Sequence, residues 1–345
     1  MNQPLVTIIT PTYNRADYLP ETIESVLSQD YPNIEYIVLD DGSKDNTLEI
    51  IKKYSDKIII EAHANIGETK TVNKGFRMAK GEFICVVNSD DPLLPGAISK
   101  MISTLLAEPD ALAVYPDWVE IDAHAKPIKE MKLPDYDILN MVNDFNVAMG
   151  PGNIFRRSVL EKYGFRDTRR KYTGDLEFWF RLASHGRFLH IPEILATHRT
   201  HPRSASVSDK SSKMAEELLS MIKSLFASGI LPKEFQDNRR QILSQAYHVS
   251  TFYCQNEPAT KRKYALLSFL YNPRPVLRNL VKSIFYRILI ILHKFLFIAH
   301  MLLNTFRRVF RFRVSTAAAF FRAILPKESY NKLRAWWRIL MKTNI

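Results

Sequence analysis

The chain has 345 residues, two cysteines and a formal net charge of +12. That length allows a domain of about 200–250 residues together with an additional module. The two cysteines, Cys85 and Cys254, lie far apart in the sequence, which excludes a disulfide framework and favours buried thiols in a reducing compartment.

Basic residues are concentrated towards the C-terminus. Eighteen basic residues and one acidic residue, Glu328, follow position 260, whereas the preceding residues carry thirty basic and thirty-five acidic ones. A mildly acidic body with a strongly basic tail predicts that the tail meets an anionic surface, either a membrane or a nucleic acid.

Short apolar runs alternate with helical patterns from residue 5 to about residue 122. Strands are expected at LVTIIT, IEYIVLD, KIIIEA, EFICVV and ALAVYPDW. Helices are expected between them at DYLPETIESVLSQ, NTLEIIKKY, TKTVNKGFRMA and GAISKMISTLLAE. This alternation predicts an α/β domain with a mostly parallel central sheet.

The pattern changes after this alternation. Residues 123–150 are irregular and are expected to form a loop or lid. LEFWFRLASHG then predicts a helix, and RFLHIPEILATHRTH predicts a short strand that runs into a polar loop. The sequence therefore divides into an α/β domain over residues 1–208, connecting helices over 209–275, and a basic, apolar helical region over 276–345.

The last region contains two candidate membrane elements. Residues 288–306 approach the length of a spanning helix, about 20 residues, but Lys294 at their centre and basic residues on both flanks disfavour a span. In ESYNKLRAWWRILMK, helical spacing separates cations from apolar residues, with Lys332 as the exception. The cationic side carries Arg334, Arg338 and Lys342, and the apolar side carries Leu333, Trp336, Trp337, Ile339 and Leu340.

Such a helix is typical of proteins that lie in the plane of a membrane surface. Peripheral or monotopic attachment is therefore expected. A true span and a purely structural or nucleic-acid-binding role are the alternatives.

Polar residues follow each of the first four predicted strands. These stretches are TPTYNR, LDDGSKDNT, HANIGETKTVNKG and NSDD. In open α/β sheets, ligands bind outside the carboxyl ends of the strands, so the four stretches are expected to form one site. A solvated turn explains any one of them alone, but not two Asp-Asp pairs at strand ends.

The pattern disfavours nucleotide-binding folds that use a glycine-rich loop. No G-x-G-x-x-G follows the first strand, and no G-x-x-x-x-G-K-[ST] is present. Without such a cradle a diphosphate needs a cation, and Mg²⁺ or Mn²⁺ prefers carboxylate ligands. Asp90 and Asp91 are the best pair for it.

These stretches resemble family 2 glycosyltransferases, which have the GT-A fold. The first similar block is TIITPTYNRADYLPETIESVLSQDYPNIEYIVLDDGSKDNT and the second is NIGETKTVNKGFRMAKGEFICVVNSDD. A third, YTGDLEFWFRLASHGRFLHIPEILATHRTHPRSAS, is similar to the acceptor-side block. The resemblance covers residues 5 to about 208.

The resemblance implies donor-binding roles. It places Pro11, Thr12, Tyr13 and Asp41 around the base of a nucleoside-diphosphate sugar, with Asp41 accepting a hydrogen bond from the base.

The resemblance also matches NSDD to the family's D-x-D site, which holds the metal and the ribose-diphosphate. Asn88 and Ser89 are then expected to contact the donor. Because Asn88 replaces the first carboxylate, the metal should depend on Asp90 and Asp91. In THRTH, His198 and His201 are candidates for the metal or the diphosphate, and His201 is the one expected to complete the metal site. Ordinary surface histidines are the alternative.

Asp175 in TGDLEFW matches the family's catalytic base. In that role it would deprotonate the acceptor hydroxyl for an in-line attack that inverts the anomeric centre. A carboxylate suits this task. From the residues alone, an N-cap of the following helix is the favoured interpretation.

The sequence thus predicts an inverting, hexosyltransferase-like enzyme of bacterial type that uses Mg²⁺ or Mn²⁺. It would move a sugar from a nucleoside-diphosphate donor to a glycan or lipid-linked acceptor in polysaccharide biosynthesis. The tail predicts attachment to the cytoplasmic face of the cell membrane. Nucleic acid is not an expected partner, since no such binding motif is present, and homo-oligomerisation is left open. The alternative is a non-catalytic nucleotide-sugar or glycan-binding module recruited to the membrane.

Overall fold

A computed structural model describes residues 3–138, 149–204, 211–273 and 320–342. The chain divides into two compact units, one ending at Pro273 and the other beginning at Arg274. The first unit contains the sheet and every polar stretch identified above. The apolar segment at residues 288–306 lies outside the described residues.

Eight strands of the described residues form one sheet, in the order β3-β2-β1-β4-β7-β5-β6, with β8 paired to β5. The pairs among β1 to β4 and the β5–β8 pair are parallel, whereas β7 and β6 pair antiparallel to their neighbours. The strands are β1 (Val6–Thr12), β2 (Ile34–Asp40), β3 (Ile59–Ala62), β4 (Phe83–Val86), β5 (Ala113–Ile121), β6 (Pro127–Met131), β7 (Ile154–Arg156) and β8 (Phe188–Arg199).

Four helices connect the first five strands, as the alternating pattern predicts, and further helices follow. They are α1 (Leu19–Leu27), α2 (Thr47–Lys52), α3 (Glu68–Met78), α4 (Ala97–Ala107), α5 (Ser158–Tyr163), α6 (Gly174–Ala183), α7 (Ser212–Ser228), α8 (Lys233–Asp237), α9 (Arg239–Tyr253), α10 (Pro258–Tyr271) and α11 (Lys327–Lys342). The predicted α/β fold with a mostly parallel sheet is confirmed.

Three strands differ from the sequence expectation. The stretch expected to be a loop or lid contains β6, which pairs with β5 as a hairpin. β7 has only three residues and lies antiparallel between β4 and β5. β8 is twelve residues long because it follows β5 along its whole length, with register shifts near Pro116 and Asp117.

Alternation of side chains along the strands separates two apolar cores, one on each face of the sheet. Ile8 and Val38 face the core formed with α1 and α4, whereas Ile9 and Leu39 face the opposite core. That second core is continuous with buried residues of α7, α9 and α10, including Leu218, Ala246 and Tyr264. The helices expected to be connectors therefore share a core with the sheet.

Helix α11 belongs to the second unit. Lys332, the exception in its amphipathic pattern, forms an ion pair with Glu328 one turn earlier, at 3.0 Å. Within the described part of the chain, no helix is both long enough and apolar enough to cross a membrane.

Candidate active site

The turn after β1 is joined to the loop after β2 by hydrogen bonds. Asn14 adopts a left-handed conformation, with φ of 54°. Its N–H donates to Ser43 Oγ at 2.9 Å, and its side-chain oxygen accepts from Lys44 N at 2.8 Å. The next N–H, of Arg15, donates to Thr47 Oγ1 at 2.9 Å. The two strand ends therefore form one rigid edge.

Asp41 fastens the loop after β3 to the same edge. Its side chain is buried, and its two carboxylate oxygens accept from Ile66 N at 2.7 Å and Gly67 N at 3.0 Å. Gly42 beside it has φ of 74°, and a Cβ at this position would lie 2.7 Å from Asn65 N. Glycine is required at position 42 both for that conformation and for the close approach of the two loops.

Asp90 lies at the end of β4, where it meets groups from two other loops. Its Oδ2 accepts from Arg15 Nε at 3.1 Å and lies 3.0 Å from His201 Nε2. The other ring nitrogen, His201 Nδ1, accepts from Arg203 N at 3.2 Å, so the ring proton resides on Nε2 and is donated to Asp90. The His201 ring packs on Tyr18, with ring centroids 4.5 Å apart.

Asp91 faces the protein interior, unlike Asp90. Its Oδ1 accepts from the backbone N–H of Arg199 at 2.7 Å, and its Oδ2 accepts from Asn88 Nδ2 at 2.9 Å. Burial raises the pKa of Asp91 to about 6, and the negative charge of Asp90 acts in the same direction. Asp91 therefore joins β4 to the end of β8.

A divalent cation fits Asp90 better than Asp91. The Asp90 side chain is 14% accessible to solvent, whereas both oxygens of Asp91 are already hydrogen-bonded. The described residues contain no cluster of three His, Cys, Asp or Glu side chains that could hold a metal. Mg²⁺ is commonly held by only one or two carboxylates, with substrate phosphates and waters as the other ligands. His201 would become a ligand only after losing its Nε2 proton.

The structure brings the predicted donor-binding residues to this edge. Pro11 and Thr12 are buried at the end of β1, and Tyr13 is 40% exposed just beyond it. Asn88 is exposed and Ser89 is buried. Thr12 Oγ1 is buried and has no hydrogen-bond partner within the described residues, which leaves a hydroxyl for a ligand to satisfy.

Asp175 lies in the first turn of α6 and is exposed. Thr173 takes the N-cap position, so Asp175 is not the N-cap residue. Its Oδ1 accepts from Leu176 N at 2.7 Å. A Cβ on the preceding Gly174 would lie 2.7 Å from Thr69 Oγ1, so glycine lets α6 begin directly against α3.

The start of α3 lies near both Asp90 and Asp175, because Gly174 packs against Thr69 and the charges of both carboxylates act on Glu68. The Glu68 carboxylate lies 3.7 Å from Arg166, and its side chain is 58% accessible. Desolvation raises the pKa of Glu68; Arg166 opposes this effect, and the charges of Asp175 and Asp90 reinforce it. Tyr253, at the end of α9, is also near Asp175. Desolvation and the charge of Asp175 raise the pKa of Tyr253.

Three arginines at this edge were not among the residues singled out from the sequence. Arg15 binds Asp90, and Arg199, which is 2% exposed, donates from Nε to the Asp90 carbonyl at 3.0 Å and forms an ion pair with Glu21. Arg203 pairs with Asp17. The signal in the sequence is that Arg15 lies in TPTYNR and that Arg199 and Arg203 lie in THRTHPRSAS. His198, predicted as an alternative ligand, packs on Trp118 with ring centroids 5.3 Å apart.

The sheet order, with the strand-end loops gathered at its carboxyl edge, matches the GT-A glycosyltransferase fold. TarS of S. aureus in complex with UDP-GlcNAc has a similar structure, with a TM-score of 0.61 and 19% identity, over 79% of this chain and 82% of that one. A mannosyltransferase of Pyrobaculum calidifontis in complex with GDP-Man and Mn²⁺ gives 0.55 and 17%, over 82% and 81%. At these identities the likeness concerns the fold.

Sequence comparison identifies the family. Residues 7–164 match Glycosyl transferase family 2. An uncharacterized glycosyltransferase of Methanocaldococcus jannaschii is 30% identical over 210 residues, 58% of this chain and 72% of the relative. One of Rickettsia typhi is 34% identical over 206 residues, 57% of this chain but only 64% of the relative. The chain belongs to glycosyltransferase family 2.

The contacts of Asp41 predict a stability effect. Replacing Asp41 with Asn should lower the free energy of unfolding by about 1–3 kcal/mol, because an amide nitrogen would face one of the two backbone N–H groups. Urea denaturation measures the change. Asp56→Asn, at an exposed position, is the control and should stay within about 0.5 kcal/mol. An unchanged midpoint in Asp41→Asn would contradict the loop-fastening role.

Proposed function

We propose that the protein is an inverting, metal-dependent glycosyltransferase that uses a nucleoside-diphosphate sugar. The observation that carries the proposal is the placement of two carboxylates near the start of α3. Asp175 follows Gly174, which packs against Thr69, and Asp90 lies in the turn after β4 with Arg15 and His201 on its carboxylate. The charges of both carboxylates act on Glu68, and a donor-side carboxylate near an acceptor-side one suits transfer between two bound substrates.

The donor would bind along the joined loops after β1, β2 and β3. The buried Thr12 hydroxyl needs a hydrogen-bond partner that the described residues do not supply. Asp41 already accepts two backbone N–H groups, and the remaining lone pairs of its carboxylate would accept from the base. The complexes of two structural neighbours with UDP-GlcNAc and GDP-Man support a nucleotide-sugar donor.

Asp90 would hold a Mg²⁺ or Mn²⁺ ion together with the donor diphosphate. When bound, such an ion neutralises charge on the leaving diphosphate. Arg15 and His201 both hold Oδ2 of the Asp90 carboxylate. The Mn²⁺ in the complex of the Pyrobaculum neighbour supports a divalent cation.

Asp175 would act as the general base. Its Oδ1 is held by Leu176 N, and its Oδ2 makes no hydrogen bond within the described residues. Oδ2 would take the proton of the acceptor hydroxyl as the hydroxyl oxygen attacks the anomeric carbon. The bond to the diphosphate then breaks on the opposite face, and this single displacement inverts the anomeric centre.

The acceptor would be a glycan or lipid-linked glycan at the cytoplasmic face of a membrane. The basic C-terminal region supports this location. Its last helix, α11, carries cationic and apolar faces in its sequence, and Trp336 is 40% exposed. Tryptophan at the boundary and cations beside it favour binding in the plane of an anionic surface.

A thermal-shift panel of UDP-, GDP- and dTDP-sugars with and without Mn²⁺ tests the donor. We expect one nucleotide sugar to raise Tm by several degrees when Mn²⁺ is present, because a ligand at 100 times its Kd adds about 2.7 kcal/mol to stability. Asp90→Asn should lose the Mn²⁺-dependent part of the shift. If no nucleotide sugar changes Tm with or without Mn²⁺, the proposal fails.

Asp175→Asn tests the base. We expect kcat to fall by about 10²–10⁴-fold, because an amide cannot take the proton, while the donor-induced shift in Tm is unchanged. Release of nucleoside diphosphate in the presence of a membrane-lipid extract measures turnover. Asp110→Asn, at an exposed position after α4, is the control. Normal turnover in Asp175→Asn would overturn the assignment of Asp175 as the base, whereas absence of turnover in the unsubstituted protein would favour a non-catalytic binding module.

Vesicle co-sedimentation tests the location. The full chain should bind vesicles that contain anionic lipid more strongly than neutral ones, and the binding should weaken as salt increases. Arg334→Glu should reduce binding. Lys52→Glu makes the same charge change at an exposed position of α2 and should reduce it less. Equal binding to neutral and anionic vesicles would contradict the electrostatic part of the proposal.

A further inference from the structure

We propose that Glu217, on α7, is a positioning residue for Asp175. Its carboxylate holds the three residues that precede Gly174 and Asp175 and thereby sets where α6 begins. This inference rests on the proposed function, since it assigns Glu217 a role in placing the general base of that reaction.

The Glu217 carboxylate accepts four hydrogen bonds from three consecutive residues. Its Oε1 accepts from Tyr172 N at 2.8 Å, Thr173 N at 2.8 Å and Thr173 Oγ1 at 2.9 Å. Its Oε2 accepts from Lys171 N at 3.0 Å. A single side chain, more than forty residues away in the sequence, therefore fixes the backbone that leads into α6.

This arrangement replaces the usual local cap of a helix. A threonine at the N-cap ordinarily uses its oxygen to accept from an N–H in the first turn. Thr173 makes no such bond, and its hydroxyl donates to Glu217 instead. The start of α6 is thus set by α7 rather than by its own sequence.

The same segment is held from the opposite side by α3. Thr69 Oγ1 donates to the carbonyl of Arg170 at 2.9 Å, and Gly174 lets Thr69 approach closely. The Arg170 guanidinium in turn donates to Ser220 Oγ at 3.2 Å and Ser224 Oγ at 3.1 Å, both on α7. Residues 170–174 are therefore clamped between two helices.

The clamp matters for transfer because a general base must lie within hydrogen-bond reach of the proton it takes. Asp175 is exposed, and one of its oxygens is bonded only to the N–H of the next residue. Its position therefore follows the backbone before it. A displacement of about 1 Å at such a group can reduce the rate by about 10²-fold.

Substitution of Glu217 separates positioning from binding. In Glu217→Ala we expect kcat to fall about 10–100-fold while the KM for the donor sugar found by the thermal-shift panel stays within about twofold. Glu217→Gln keeps an oxygen for the three bonds made by Oε1 and should restore most of the rate. Glu216→Ala, at the exposed neighbouring position, should change neither quantity.

Hydrogen exchange gives a readout that does not depend on activity. The amides of residues 171–173 should exchange faster in Glu217→Ala than in the unsubstituted protein, and Glu217→Gln should restore most of the protection. If Glu217→Ala does not fold, Thr173→Val removes one of the four bonds and should lower kcat by a few fold.

The outcomes distinguish this inference from the proposed function. Unchanged kcat in Glu217→Ala, or loss of donor affinity without loss of kcat, would overturn the positioning role. Unchanged exchange at residues 171–173 would overturn the clamp itself. Absence of any turnover in the unsubstituted protein would instead count against the proposed function.

Discussion

The backbone N–H groups of the strand-end loops need acceptors, and carboxylates supply them throughout this site. Asp41 accepts from the loop after β3, Asp91 from the end of β8, and Glu217 from the segment before α6. An unsatisfied buried N–H group costs about 1–3 kcal/mol, so each of these bonds fixes a loop that its own sequence does not order. Loops from different parts of the chain are thereby held at one edge of the sheet.

The need of backbone N–H groups for acceptors also gives the two carboxylates after β4 different surroundings. Asp91 is buried and satisfies a backbone N–H and an amide. Within the described residues, the Asp90 carboxylate is bonded by side chains alone, those of Arg15 and His201, and it remains partly accessible. Adjacent residues of one type therefore differ in role, because consecutive side chains leave a turn in different directions.

The sequence was sufficient for the parallel half of the fold and for the gathering of the polar stretches at one edge of the sheet. β2 begins and ends where its apolar run does, and the polar stretches after β1 to β4 lie at one edge. β7 could not be predicted, because three residues have no detectable periodicity and its pairing is set by β4 and β5. The sequence also does not show which carboxylates accept from backbone N–H groups and which remain open to a ligand.

The helices after residue 209 show that the extent of the domain could not be predicted from the sequence either. Their composition predicts connectors, but Leu218 and Tyr264 belong to the core beneath the sheet, and Tyr253 lies close enough to Asp175 for the carboxylate charge to raise its pKa. Contacts between distant segments define a domain, and a single sequence does not reveal them. Since α7 supplies Glu217 to the segment before Asp175, these helices lie beside the proposed base as well as in the core. We therefore propose that the catalytic unit extends through α10, and that the membrane-binding region begins only beyond it.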